Sequence, residues 1–419
     1  MSTATSDLKT RVEAANTAAL ARLVSADPVL VDVAPAAEVV EGLEGRMILH
    51  AGPPIPWERM CGAMRGSVIG LVLWEGWAST PVDAEKLLAE GKIRLEPNHH
   101  HHGVGPMAGT TSPSLPVWVV ENRTHGNRAY CRLAESLQQF GQFDVEALSG
   151  LTRWRDVWAP SMRAGLRKRG PIPLKSIIAR ALQMGDELHN RPNAASSLFA
   201  NVMSQAMVDA GVPTPALLET MGYLSGNEFL FLGISMAAAK SAAEPLEGMA
   251  DSTLVTAMAR NGVEFGIRVS GMPGQWFVAP APPVDGLLLP GFKAEDAGLD
   301  MGDSAITETV GWGGFVLGGA PGILALTGGT PEQALRISRE MREITTGLSP
   351  DYRIPALGFA GTAVGIDIRK VVATGIEPVI DTAIAHREQG HPKIGGGLVK
   401  APLDCFRKAF AEFAHRHGV

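Results

Sequence analysis

Forty-eight glycines and 29 prolines separate the apolar segments of this 419-residue chain, and that punctuation is its strongest constraint on folding. Glycine permits tight turns and close backbone approach, and proline ends helices and presets turns. The pattern suits an enzyme built from short strands and loops. At this length two or three domains are expected. With 45% hydrophobic and 19% charged residues, the chain reads as well-buried globular protein and not as disordered polymer.

The texture changes twice along the chain. An amphipathic helix is expected over Asp7 to Ala26. Strands are read at "PVLVDVAP" (from Pro28), "RMILHAGPP" (from Arg46), "RGSVIGLVLWEGWA" (from Arg65) and "LPVWVVEN" (from Leu115), with helices at "AAEVVEGLEG" and "PVDAEKLLAEGKIRLEP", the latter with an exit strand. From Tyr130 to about Tyr223, "CRLAESLQQF", "DVEALSGLTRWRDVWAPSMRAGL", "LKSIIARALQMGDELHN" and "AASSLFANVMSQAM" carry helical periodicity. Beyond Asn227 glycine rises, and strands such as "NEFLFLG" and "VEFGIRVSG" alternate with helices. The expected fold is a mixed α/β and α+β multidomain: an N-terminal helix (1–25), an α/β lobe (26–128), a helical domain (129–225) and a glycine-rich α+β lobe (226–419).

A net charge of −6 supplies no basic field for nucleic acid. The one dense basic run, "RAGLRKRG" from Arg163, reads as a solvated helix end or an interdomain contact. Cys61, Cys131 and Cys405 form no CxxC pair, which fits a reducing compartment, and the N-terminus lacks an apolar signal core. The apolar stretch Gly311 to Gly329 falls short of the ~20 residues a membrane span needs, so it is expected as a buried core element. A cytoplasmic protein without membrane contact is expected.

Five polar constellations could carry chemistry. In "NHHHHGVGPMAG", an extended loop would place His99 and His101 on one side and His100 and His102 on the other. No HExxH or CxxC motif completes a zinc site, so a metal ion is not expected. Gly103, Gly105 and Gly109 miss the dinucleotide fingerprint by one residue, yet such a turn can aim backbone N–H groups at an anion, with His101 as proton shuttle. A turn that only packs is the alternative.

In "GDELHNRPNAASS", a helix reaching Asn190 would put Asp186 beside His189 and Glu187 beside Asn190. That carboxylate would raise the His189 pKa for acid–base work; otherwise His189 caps a helix end. In "NGVEFGIRVSG", strand alternation places Glu264, Gly266, Arg268 and Ser270 on one face, with Glu264 and Arg268 about 13 Å apart. The missing side chain at Gly266 leaves room for a ligand clamped by Arg268, unless this is merely a half-exposed edge strand.

"MGDSAITETVGWGG" crowds Asp303, Ser304, Thr307 and Glu308 against the most apolar segment, and its β-branched residues disfavour a helix. "AHREQGHPKIGGGL" sets His386, His391 and Lys393 around three glycines, as a phosphate loop or a solvent loop. "FLFLGISMAAAK" echoes a nucleophile elbow, but Ser235 reads more naturally as a helix N-cap.

Taken together, "VGPMAGTTSPSLPVWVVEN", "MGDELHNRPNAA", "ISMAAAKSA", "STLVTAMARNGVEFGIRVSG", "GDSAITET" and "IAHREQGHPKIGGGL" resemble the AllG (YlbE) family, a subunit type of oxamate carbamoyltransferase from anaerobic allantoin breakdown. The resemblance runs from about residue 25 to the C-terminus. It implies a transferase of purine degradation that exchanges a carbamoyl group between a small anionic ureide, such as oxalurate, and phosphate, giving oxamate and carbamoyl phosphate. It also implies partner subunits and a homo-oligomer, with phosphate and carbamoyl phosphate as substrates and no firm cofactor.

Such chemistry passes through a tetrahedral oxyanion and needs anion clamps, N–H donors and a proton shuttle. The residues above supply candidates. His101, His189, Asp186, Glu264, Asp303 and Glu308 could act in catalysis, and Gly103, Gly105, Asn190, Arg268, Ser270, Thr307, His386 and Lys393 could bind substrate or phosphate. An amidohydrolase using water instead of phosphate, or a scaffold subunit, are the rival readings.

Overall fold

The computed structural model describes residues 3–133, 135 and 137–418. It has the mixed α/β and α+β organisation that the sequence predicts. The opening helix, Thr3–Val24, buries Val12, Ala19 and Leu23. Its Asn16 bonds Thr253 and Asp367, so the N-terminal helix is stitched to the C-terminal lobe.

A five-stranded sheet follows, in the order Gly103–Val104, Arg128–Arg132, Pro116–Asn122, Pro28–Pro35, Ile172–Pro173. Its central pair is antiparallel, with Pro28 opposite Asn122 and Pro35 opposite Pro116. Beside it, Met47–His50 and Arg94–Pro97 form a parallel pair.

"RGSVIGLVLWEGWA" is not a strand: Gly62–Trp74 is a helix. It is apolar nearly all round because it is buried on most sides, so the period that separates helix from strand is lost. The same holds for "NEFLFLG", which enters the helix Leu230–Ala243, every residue of which is buried. This helix packs on the first sheet. Gly233 permits the approach, since a Cβ there would lie 2.7 Å from the Arg132 carbonyl. Ser235 lies inside the helix and not at its N-cap, donating to the Leu188 and Leu232 carbonyls.

The expected helix "CRLAESLQQF" is instead the end of strand Arg128–Arg132 and a 3-10 turn at Gln138–Phe140; Ala134 and Ser136 lie outside the described residues. Helices do form over Val145–Arg153, Ala159–Arg169, Lys175–Gln183 and Asn193–Asp209. Arg163 joins its helix to the first sheet through Asp32 and to the short helix Ala36–Val39 through Glu38.

The C-terminal half holds an antiparallel sheet ordered Phe277–Pro280, Glu264–Val269, Val255–Asn261, Met301–Gly302. A second sheet orders Asp285–Leu288, Lys393–Lys400, Val379–Ala385. The three glycines of "KIGGGL" are strand residues and not a phosphate loop: a Cβ on Gly397 would lie 2.3 Å from the Asp285 carbonyl. Of the stretch expected as a buried core element, Gly311 to Leu317 is buried throughout, whereas from Gly318 to Gly329 only Ala320, Ile323 and Thr327 are buried among the described side chains; it runs through 3-10 turns and a short helix. Among the described residues, no helix is long and apolar enough to cross a membrane.

Candidate functional site

Four separate segments bring polar side chains to one buried point. The first is the loop after Lys175–Gln183. Leu188 takes a left-handed conformation (φ +71°), which turns the chain and aims His189 inward. The Glu187 carboxylate holds this turn by accepting from the His189 and Arg191 backbone N–H groups. The second segment is the short helix Ile306–Thr309, which forms despite its β-branched residues. Its Glu308 accepts from Thr307 Oγ1 at 2.9 Å and from the Gly314 N–H at 2.9 Å. His189 Nδ1 lies 2.8 Å from Glu308 Oε1.

The third contribution is Arg260, at the end of Val255–Asn261. It is bidentate to Asp300 at 2.7 and 2.9 Å, and it also donates to the Gly302 carbonyl and Thr382 Oγ1. The fourth is Asp381 on Val379–Ala385. Its Oδ1 lies 3.4 Å from His189 Nδ1, and neither carboxylate oxygen receives an N–H or hydroxyl donor; its neighbours are the Glu187 and Glu308 carboxyls. Unpartnered buried acceptors are rare and costly, which marks this point as a site.

Burial sets the protonation here. It lowers His189 to about 3, so the ring is neutral and its contact with Glu308 is a hydrogen bond, not an ion pair. The expected rise in the His189 pKa is therefore reversed. Burial pushes Glu308 up to about 7, and it raises Asp381 and Glu187 well above the usual carboxylate range, helped by neighbouring carboxylates.

A second polar group adjoins the first through the segment that carries Asp300 and Asp303. Asp303 accepts from the Gly52 N–H at 2.7 Å, the Gly105 N–H at 2.9 Å and Asn98 Nδ2 at 3.0 Å. The N–H groups expected to face a substrate oxyanion are thus partly spent on Asp303. His99 Nε2 stands 3.6 Å from Asp303 Oδ1, too far for a hydrogen bond, and both of its ring nitrogens are buried without partners. Trp276 meets the His99 ring edge-on at 5.4 Å, and Arg268 lies over Trp276 at 5.7 Å. Burial lowers the His99 pKa well below its ordinary value, and the charges of Lys240 and Arg268 add to this.

The histidine run is a 3-10 turn, Asn98–His101, and not an extended loop, so its four rings diverge. His99 faces Asp303, His100 accepts from Trp276 Nε1, His101 bonds Glu96 at 2.7 Å, and His102 bonds Glu244 at 2.9 Å. His101 therefore points away from the two polar groups. Asp186 is not beside His189 either, because the helix ends at Gln183. It accepts from the Ala194 and Ala195 N–H groups at the start of the next helix.

Glu264 pairs with Arg59 at 2.7 Å, and Ser270 donates to the Leu246 carbonyl. The space at Gly266 is filled by Trp276 and Pro53 and leaves no room for a ligand. His386 stacks on His391 at 3.8 Å, and Lys393 lies over the Phe229 ring, so neither joins the site. Arg268 pairs with Glu247 at 3.0 Å but keeps a buried Nε without a partner.

The structure brings together His189, Glu308 and Thr307, with Asn190 tying their loop to the Thr382 carbonyl. Asp303 and Gly105 form the adjoining group, and Gly103 lines the same turn against Asn98. Sequence reading missed Asp381, Arg260 and His99 as site residues. Asp381 and Arg260 had a signal: each is a charged residue inside an otherwise apolar strand, "VIDTAIA" and "VTAMARN".

Residues 93–304 match the family model described as oxamate carbamoyltransferase subunit AllG. The chain is 42% identical to the Escherichia coli protein of that name, across 98% of this chain and 99% of that one. It is 45% identical to the uncharacterized Escherichia coli protein YahG, across 99% of this chain and 89% of the relative. A crystal structure of a conserved Enterococcus faecalis protein of unknown function superposes with a TM-score of 0.96 at 42% identity, covering 97% of this chain and 99% of that one.

Proposed function

This chain belongs to the AllG family of oxamate carbamoyltransferase subunits, and from that premise we propose that it takes part in carbamoyl transfer between a small ureide of the oxalurate type and phosphate, as one subunit of a larger assembly. A phosphate oxygen bonds to the carbamoyl carbon, the bond from that carbon to the oxamate nitrogen breaks, and the nitrogen takes a proton. The observation that carries this reading is the neutral, buried His189 fixed on Glu308. With its Nδ1–H given to Glu308, Nε2 is the free nitrogen; burial keeps the resting ring neutral, and the Glu308 carboxylate would offset that burial when Nε2 takes a proton from the nucleophile and returns it to the leaving nitrogen.

The adjoining group supplies the anion seat. Arg268 Nε and both His99 nitrogens are buried donors or acceptors without partners, beside an aromatic wall formed by Trp276. A planar carboxylate or a phosphate matches that guanidinium.

The test is to assay the purified chain, alone and with its partner subunits, on oxalurate with and without phosphate. Carbamoyl phosphate formed only when phosphate is present supports the reading. Ureide cleavage that ignores phosphate would replace it with a hydrolase. Calorimetry on Arg268→Ala should show weakened oxamate or phosphate binding; unchanged affinity removes Arg268 from the seat.

A further inference from the structure

Neither the family resemblance nor any sequence motif places a metal in this chain, yet the fold gathers a ligand set for one. His189, Glu308 and Asp381 each offer a ligand atom, all are buried, and these atoms lie within 4.8 Å of one another. His189 Nδ1 is 2.8 Å from Glu308 Oε1 and 3.4 Å from Asp381 Oδ1. An ion with bonds of about 2.1 Å holds neighbouring ligand atoms about 3.0 Å apart in octahedral geometry and about 3.4 Å apart in tetrahedral geometry. The two distances from His189 Nδ1 are therefore close to those between neighbouring corners of one coordination shell, and the two carboxylate atoms lie within 4.8 Å of each other.

A second, independent observation points the same way. Both Asp381 oxygens are fully buried and receive no N–H or hydroxyl donor; the groups against them are the Glu308 and Glu187 carboxyls and, at 3.4 Å, the His189 ring. The nearby guanidinium, Arg260, is committed to Asp300. Three carboxyl groups thus converge and, among the described residues, no free cation joins them; a divalent ion would supply the positive charge that lets buried carboxylates ionise. The missing side chain at Gly313 keeps the corner clear: a Cβ there would lie 2.0 Å from Glu308 Oε1 and 3.1 Å from Asp381 Oδ1.

We infer that His189, Glu308 and Asp381 form a divalent-cation site of the Mn²⁺ or Zn²⁺ class. One imidazole nitrogen and two carboxylates suit those ions, and three protein ligands leave coordination positions open to a ligand oxygen, as in catalytic and not structural sites. A metal on Nδ1 displaces the proton that Nδ1 gives to Glu308 and leaves the ring hydrogen on Nε2, so the proton-shuttle role of His189 belongs to the metal-free chain. Glu187 stays outside the shell as the residue that fixes the His189 loop. The three ligands come from a loop, a short helix and a strand, which is why no spacing motif betrays them.

The test uses the full chain freed of metal by chelation and titrated calorimetrically with MnCl₂ and, separately, ZnCl₂. One equivalent should bind, with affinity falling by at least about 100-fold in Asp381→Asn and in His189→Ala, since loss of an outer-shell partner alone costs 10- to 100-fold. The melting temperature of the wild-type chain should rise with added Mn²⁺ or Zn²⁺, a readout that needs no variant to fold. Failure of the wild-type chain to bind either ion more tightly than millimolar overturns the site, as does undiminished binding in a folded Asp381→Asn or Glu308→Gln chain. Binding is read without ureide or phosphate, so this site and the carbamoyl-transfer reading can fail separately.

Discussion

His189 Nδ1 and Glu308 Oε1 meet at 2.8 Å across 119 residues of sequence, both fully buried. The carboxylate fixes the ring's tautomer and favours any charge that the ring gains in the reaction. Glu308→Gln keeps the shape and removes the charge. It should lower turnover by roughly 10²- to 10⁴-fold with much less effect on the KM for the ureide. Steady-state kinetics of the assembled enzyme would show this, and wild-type turnover in the variant would return the pair to a structural role.

Gly313→Ala should damage the same place through the backbone. Gly313 sits at φ +57°, and its Cβ would run into the Glu308 carboxylate. Overpacking and left-handed strain together should cost about 2–4 kcal/mol. Urea denaturation checks this, and a loss under about 0.5 kcal/mol would mean that the turn relaxes freely.

Asp303 joins the two halves of the molecule by taking three donors from Gly52, Gly105 and Asn98. Asn at this position can offer only one acceptor oxygen and must turn an amide against an N–H. Each donor left unsatisfied should cost about 1–3 kcal/mol. Chemical denaturation of Asp303→Asn reads the loss directly, and hydrogen exchange should locate it at the Gly52 and Gly105 amides.

The sequence showed which residues were out of place but not which ones meet. Glu308 and Asp303 stood out as charges beside an apolar segment, and both lie fully buried among polar partners. His189 was recognised with the wrong partner, because the chain leaves the helix at Gln183 and reverses at Leu188, sending Asp186 to the next helix and His189 to Glu308. No local pattern encodes a contact made across 119 residues. The strands Pro28–Pro35 and Pro116–Asn122 were legible because apolar runs end at prolines or an asparagine. The helices Gly62–Trp74 and Leu230–Ala243 were not, because burial on every side erases the helical period.

Lys240 is almost wholly buried and pairs with Glu244 at 2.9 Å, while His102 reaches the same Glu244 oxygen from the surface side. Burial alone would raise the Glu244 pKa, but Lys240 and His102 overcome it and hold the group down to about 2. Glu244→Gln strands the Lys240 ammonium, and breaking a buried pair this way should cost about 3–5 kcal/mol near neutral pH. The pH dependence has a definite sign. A depressed carboxylate stabilises the fold fully above its unfolded value of 4.5 and loses that contribution as pH falls through about 2. His102, raised by Glu244, adds a smaller term that is present below its ordinary 6.5 and fades as pH rises through its folded value; the ring is half exposed, which weakens it. Stability measured by urea titration should therefore fall between pH 4.5 and 2 more steeply in the wild-type chain than in Glu244→Gln. Parallel curves over that range would show that Lys240 finds another partner and that Glu244 is dispensable to the fold.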